Sequence, residues 1–300
     1  MAPRRVSPSP ARRRALGDTV TNTWNHPVAS WLDPDSGALL DHPDLMREVA
    51  QSNVLLLGET HDRYDIHRWQ LHVCAAMRTL RNNIAIGFEM FPRRLQPVLD
   101  QWVAGDLERD EFLKAAEWGK VWGFPAELYL PIFHFCREFG VPMLALNCYR
   151  ELVTRVGKEG WDAIPLDERD GLTPSANATP AYRQYLFDIT GGGSPTRKAT
   201  SPQAPEFDRF VRAQQTWDRA FACNIAKART TANPRLVIGI IGRGHLEFGH
   251  GTPFQLADLG IDKVTTLLPS DTSQVDREKV RGIGRALFRL QPQAGARPGA

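Results

Sequence analysis

The chain has 300 residues, 42 % of them hydrophobic and 24 % charged, so it can bury a sizeable core without a disulfide or a structural metal. Its formal net charge is only +3, and Arg4, Arg5, Arg12, Arg13 and Arg14 cluster at its start. The rest is then near neutral, which argues against nucleic acid as a partner and makes residues 1–22 a solvated, disordered basic arm.

No apolar stretch follows those arginines, and no window approaches the roughly 20 apolar residues of a membrane span. The expectation is a soluble cytoplasmic protein with no membrane span. Cys74, Cys136, Cys148 and Cys223 include no CxxC pair and read as small core residues, in keeping with a reducing compartment.

After a Pro- and Asp-containing lead-in to residue 46, the first strand is expected at about 53–58. A helix follows at about 64–81, where Ile66, Trp69, Val73, Met77 and Leu80 recur at three- and four-residue steps. A second strand is expected at 84–89, and helices at 94–102, 111–116 and 128–139, the last stopped by Gly140. Residues 142–147 read as a third strand. From 165 to 205 the chain is rich in Gly, Pro, Ser and Thr, with one short helix near 182–188, and reads as an insertion or lid-like loop. A strong helix at 206–230 precedes a strand at 236–241, and the last strand is expected at 263–268. This alternation predicts an α/β fold with a mostly parallel sheet flanked by helices on both faces. The expected organisation is one α/β domain over 23–290, with a helical subdomain at 92–135 and a loose tail at 291–300.

Three of the strands end in ionisable groups. Val54-Leu-Leu-Leu-Gly-Glu-Thr-His61 delivers Glu59 and His61, Ile84-Ala-Ile-Gly-Phe-Glu-Met-Phe91 delivers Glu89, and Leu236-Val-Ile-Gly-Ile-Ile-Gly-Arg-Gly-His245 delivers His245. Asn147 ends a fourth. Apolar runs bounded by glycine read as buried parallel strands, and such sheets bind ligands beyond their carboxyl ends. One polar site on the sheet rim follows. Glu59 and His61 stand two residues apart and so face the same side in extended backbone. A carboxylate beside an imidazole raises its basicity and fixes its tautomer, which suits a general base or a metal ligand. The plain structural alternative is a Glu that caps the following helix. Glu89, alone in an apolar run, must be paired, neutral or functional.

The remaining candidates are weaker. His67 lies on the first turn of its helix, Asp218 beside the buried face of its own, and His250 in a flexible Gly-His-Gly. Gly242-Arg-Gly-His245 has phosphate-loop glycines but neither GxGxxG nor a Walker lysine. Trp118, Trp122, Phe124 and Tyr129 form an aromatic group that reads as core, or as the walls of a slot for a flat macrocycle.

Taken in order, the motifs resemble the ChaN family. They are Gly58-Glu-Thr-His-Asp62 with His67 and Gln70, Gly87-Phe-Glu-Met-Phe91, Ala145-Leu-Asn147, Gln215-Thr-Trp-Asp218, and Gly242-Arg-Gly-His245 with Gly251 and Pro253. This family comprises the haem-binding proteins of the Tiki/TraB and erythromycin-esterase-like superfamily. The resemblance spans about 50–270. It implies an α/β domain that binds haem, with two haems stacked face to face between the subunits of a homodimer. Glu59, His61, His67, Glu89, Asn147, Asp218 and His245 match the shared pattern. Two functions follow as expectations. One is haem handling, with His245, His250, His67, Asn147 and Asp218 around the cofactor. The other is a hydrolase in which His61 is the base, Glu59 orients it, and Glu89 and His245 polarise a small-molecule substrate or hold a divalent metal.

Overall fold

A computed structural model describes residues 22–191, 199–230 and 235–291. The basic arm, apart from residue 22, and the tail, apart from residue 291, lie outside the described residues. The first half carries strands β1 (Thr23–Asn25), β2 (Trp31–Leu32) and β3 (Leu39–Leu40), helix α1 (His42–Val49), β4 (Val54–Glu59), α2 (Tyr64–Leu80) and β5 (Ile84–Pro92). Helices α3 (Gln96–Ala104), α4 (Arg109–Ala115), α5 (Trp118–Val121) and α6 (Leu130–Glu138) lead to β6 (Met143–Asn147) and α7 (Arg150–Glu159). Then come α8 (Pro180–Ile189), α9 (Pro205–Ala228), β7 (Leu236–Gly242), α10 (Thr252–Asp258), β8 (Val264–Ser270), β9 (Gln274–Asp276), α11 (Arg277–Val280) and β10 (Ala286–Arg289).

One sheet has the order β3-β2-β10-β8-β4-β7-β5-β6. From β10 to β6 every pairing is parallel; β2 joins β10 and β3 antiparallel. Strand alternation sends Leu55 and Leu57 of β4 into the cluster with α2 and α3–α6, and Val54 and Leu56 into the cluster with α9 and α10. Both faces are therefore covered, as a parallel sheet of continuous apolar strands requires. The side chains of 92–135 join the first of these clusters.

Two expectations need correction. The lead-in to residue 46 holds three short strands and the start of α1, and the last strand lies at β10 rather than at 263–268. Strands of two or three residues are too short to show alternation, and β10 is held within the sheet by pairing with β8 and β2, which no local pattern reports.

The β2 end of the sheet carries one titratable acceptor. The indole N–H of buried Trp31 donates to Nδ1 of His42, 2.9 Å away, and the His42 ring lies 5.1 Å from that of His72. Burial first and the neighbouring His72 second hold the His42 imidazole below its ordinary value of 6.5, against a smaller upward pull from Asp41. The folded chain thus binds fewer protons here than the unfolded chain, so this contribution is present above the ordinary value and is lost as pH falls through the lowered one. Denaturant midpoints taken downward from pH 7 are expected to drop, and less steeply in His42→Gln, which keeps an acceptor for Trp31 but does not titrate.

Candidate functional site

The parallel register builds one row of strand ends. Glu59 of β4 pairs with Gly242 of β7, and Phe88 of β5 pairs with Ile240, so Glu89 emerges beside them. The β5–β6 register shifts between Phe88 and Pro92. Asn147 covers that irregularity: its Nδ2 donates to the Glu89 carbonyl at 2.7 Å and its Oδ1 accepts from Cys148 N at 2.9 Å. Asn147 is thus a strand-end tie as well as a residue of the cleft.

Glu59 is 1 % exposed and its carboxylate is saturated. Oε1 accepts from the Tyr129 hydroxyl and from His61 Nδ1, both at 2.8 Å. Oε2 accepts from Gln70 Nε2 at 3.2 Å and lies 3.4 Å from His67 Nδ1. His67 Nδ1 is also 3.0 Å from Gln70 Oε1, and its Nε2 is 3.1 Å from the His61 carbonyl. His67 therefore stands behind His61 and braces it; it does not line the cleft.

A second histidine is held in the same way from the other face. His245 Nδ1 lies 2.8 Å from Asp218 Oδ1, to which Thr252 Oγ1 also donates at 3.1 Å. The Tyr182 hydroxyl donates to Asp218 Oδ2 at 2.5 Å. A carboxylate oxygen accepts, so Nδ1 carries the proton in both histidines, and Nε2 has no hydrogen-bond partner among the described residues. The side chains are 31 % exposed for His61 and 17 % for His245, and both line the cleft.

Glu89 lies between the two. Its Oε2 accepts from Gly242 N at 2.7 Å, and its Oε1 is 3.3 Å from His61 Nδ1. The backbone N–H that a phosphate loop would offer to an anion is therefore given to a side chain of the protein. Burial pushes the Glu89 carboxyl up, against the pull of His61. Burial lowers His61, but its hydrogen bond to Glu59 and the charges of Glu89 and Glu59 outweigh it, and the imidazole is raised. In His245 burial again lowers and Asp218 raises, with the net direction upward.

The cleft these groups floor has a volume of about 530 Å³. Its apolar walls include Met90, Val121, Trp122, Trp217 and Phe221, and Arg94, Lys120 and Arg150 stand among its charged residues. Trp122 meets the His61 ring edge-on at 4.9 Å, and Phe221 meets His245 edge-on at 5.4 Å. Of the aromatic group singled out in the sequence, Tyr129 and Trp118 are buried, whereas Trp122 lines the cleft. His250 stands apart, packed among Tyr182, Tyr185 and Phe248. Glu59, His61 and Glu89 offer ligand atoms within 4.8 Å of one another, a geometry open to a metal ion. Sequence reasoning passed over Tyr182 and Thr252, and read Tyr129 only as a member of the aromatic group and not as a donor to Glu59. For Tyr129, in an otherwise apolar segment, the signal was that a buried hydroxyl needs a partner.

The family described as haem-binding uptake, Tiki superfamily, ChaN matches residues 45–256. No curated protein sequence matches the chain. Among solved structures, ChaN of Campylobacter jejuni, described with cofacial haem binding, is 22 % identical, with 86 % of this chain and 95 % of that one covered and a TM-score of 0.66. The type III effector HopBA1 is 10 % identical over 83 % of this chain and 92 % of its own, with a TM-score of 0.48. A mutant of the erythromycin esterase EreC is 12 % identical over 80 % and 76 %, with a TM-score of 0.45.

Close approach at one glycine, with a second glycine in open space as its control, tests this geometry. A Cβ at Gly251 would come 2.5 Å from the His245 carbonyl and 2.7 Å from Asp218 Oδ1, whereas one at Gly244 meets nothing nearer than Ile189 at 3.6 Å. Gly251→Ala is expected to cost about 1–3 kcal/mol and to shift the His245 ring resonances in NMR spectra. Gly244→Ala should do neither.

Proposed function

This chain belongs to the haem-binding uptake family of the Tiki superfamily, the ChaN family, and on that premise we propose that its strand-end cleft binds haem, with His245 as the ligand to iron. The observation that carries the proposal is the His245 imidazole. The residue lines the cleft, its Nδ1 is bound to a buried carboxylate, and its other nitrogen has no hydrogen-bond partner among the described residues, which suits a metal-ligating histidine. The surroundings fit the group. A slot of about 530 Å³ is in the range of small-molecule sites, and Trp122, Trp217, Phe221 and Met90 give apolar walls for a flat macrocycle. Lys120 and Arg150 are exposed beside the cleft and suit the two carboxylates of haem. Cys148 also lines it, but burial pushes its thiol up to about 12, so no thiolate competes for iron near neutral pH.

When bound, haem would supply an iron centre for transfer or storage. The chain's own part is to orient the His245 ring through Asp218, to brace the opposite wall through Glu59 and His61, and to exclude water with the aromatic side chains. The cofacial mode described for the Campylobacter relative supports a homodimer that pairs two haems. Titration with hemin is expected to give a stoichiometric Soret band distinct from that of free hemin, and sedimentation a loaded dimer. His245→Ala should move the band and weaken binding by more than about tenfold. A spectrum identical to that of free hemin would rule the reading out.

A second reading rests on His61. Its Nδ1 sits between Glu59 and Glu89, and those carboxylates raise its basicity, so its cleft-facing Nε2 suits the activation of water against an ester, amide or phosphate. A divalent metal on His61 and Glu89 would assist as a Lewis acid. Glu59 contributes as an orienter, since its oxygens are already taken by Tyr129 and Gln70. On this reading His61→Ala abolishes turnover in a substrate panel without changing the far-UV circular dichroism; full turnover in that variant excludes it.

A further inference from the structure

The cleft already holds an anion beside its cations, and it is the protein's own. Glu117 Oε2 accepts from Arg94 Nη2 at 2.7 Å, and Lys120, in the turn that follows, also acts on the Glu117 charge. All three side chains line the cleft. Arg150, from the start of α7, lines it too, and its guanidinium has no partner among the described residues. Arg94 gives Glu117 one N–H, and the other donors of its fork meet no acceptor among the described residues. The Arg94 and Glu117 side chains are 37 % and 36 % exposed, so theirs is a surface contact that an incoming anion can exchange. Its neighbour Arg93 is different, half-buried and fixed on the Asp170 carbonyl at 2.6 Å. The backbone at Glu117 has φ 51° and ψ 37°, the left-handed region that glycine takes without strain and that a residue with a side chain seldom adopts. It makes the turn between α4 and α5, where its carbonyl accepts from Lys120 N and Val121 N. A turn that glycine would fill without strain thus carries instead the carboxylate that covers Arg94.

We propose that this part of the cleft is a subsite for an anionic group of the ligand, and that Glu117 is its internal stand-in, holding Arg94 until a carboxylate or phosphate of the ligand takes its place. The present occupant is a carboxylate, and the planar fork of Arg94 matches a carboxylate in two parallel bonds, so a carboxylate-bearing ligand is the better fit. Lys120 and Arg150 add charge on the same cleft. The inference goes beyond the haem and hydrolase readings and needs neither, because it concerns neither iron nor a scissile bond. It makes Arg94 and Glu117 specificity-determining residues. A ligand with no anion at that end leaves the ion pair closed and gains nothing from it, whereas an anionic ligand exchanges one ion pair for another.

The test is isothermal titration calorimetry of the full chain with succinate and, separately, with inorganic phosphate, at low ionic strength, where such contacts are least screened. Glu117→Gln frees Arg94 and is expected to tighten binding by about two- to fivefold, the worth of an exposed ion pair. Arg94→Gln should weaken binding, and should cancel the gain when added to Glu117→Gln. Glu151→Gln removes the same charge from the same cleft, but Glu151 is exposed and pairs with no cation among the described residues. It should tighten binding far less. A response to succinate alone assigns the subsite to a carboxylate, and a response to phosphate alone to a phosphate ester. If Glu117→Gln and Glu151→Gln tighten binding alike, the effect is one of net charge and the inference is overturned. It is overturned as well if Glu117→Gln binds neither anion. Neither result touches the haem or the hydrolase reading, since these probes carry no iron and no bond to cleave.

Discussion

A carboxylate buried at the end of a parallel strand must have its lone pairs met by donors, because water cannot reach it and an unpaired charge there is costly. Glu59 meets this condition through Tyr129 at the start of α6, Gln70 and His67 on α2, and His61 in the loop after β4. One side chain therefore ties two helices of one layer to the central strand of the sheet. The same bonds leave His61 with a fixed ring plane, so the demand that makes Glu59 tolerable also orients the histidine at the cleft.

The opposite layer repeats the solution with different elements. Asp218 on α9 is met by α8, α10 and the loop after β7, and it carries His245 to the rim. Glu89, from a strand between the two layers, is fastened by the backbone of Gly242 and lies 3.3 Å from His61 Nδ1. A Cβ at 242 would stand 3.0 Å from the His61 ring, which would have to give way by a few tenths of an ångström, and one at 251 would strike Asp218. These two glycines act through close approach and not through turn geometry.

Much of this was legible in the sequence because the parallel strands at the centre are continuous apolar runs that end abruptly in Glu, Asn or Gly-Arg-Gly-His. The helix at 64–80 and the strands at 54–59 and 236–242 follow from period and punctuation alone. What was not legible depends on contacts distant in sequence. Asp218 is 27 residues from His245, and Tyr129 is 70 from Glu59. Nothing local marks α8 as the source of a hydroxyl for Asp218, since its Gly- and Pro-rich flanks read as loop. The resemblance to the family supplied the set of residues; the hydrogen bonds supplied the division between those on the cleft and those behind it.

That division narrows the chemistry. His67 and Asp218, which match the family pattern, do not line the cleft, while His61, Glu89, Asn147 and His245 do. An imidazole whose Nδ1 is bound to a carboxylate serves equally as metal ligand and as general base, so the histidines alone do not choose between haem and hydrolysis. Aromatic rings flank both: Trp217 and Phe221 meet the His245 ring edge-on, and Trp122 and Phe124 pack on the His61 ring. The difference between them is electrostatic, since Glu89 Oε1 lies 3.3 Å from His61 Nδ1 as a second carboxylate beside Glu59. The two sides of the cleft are thus built on one plan and differ in charge rather than in apolar cover.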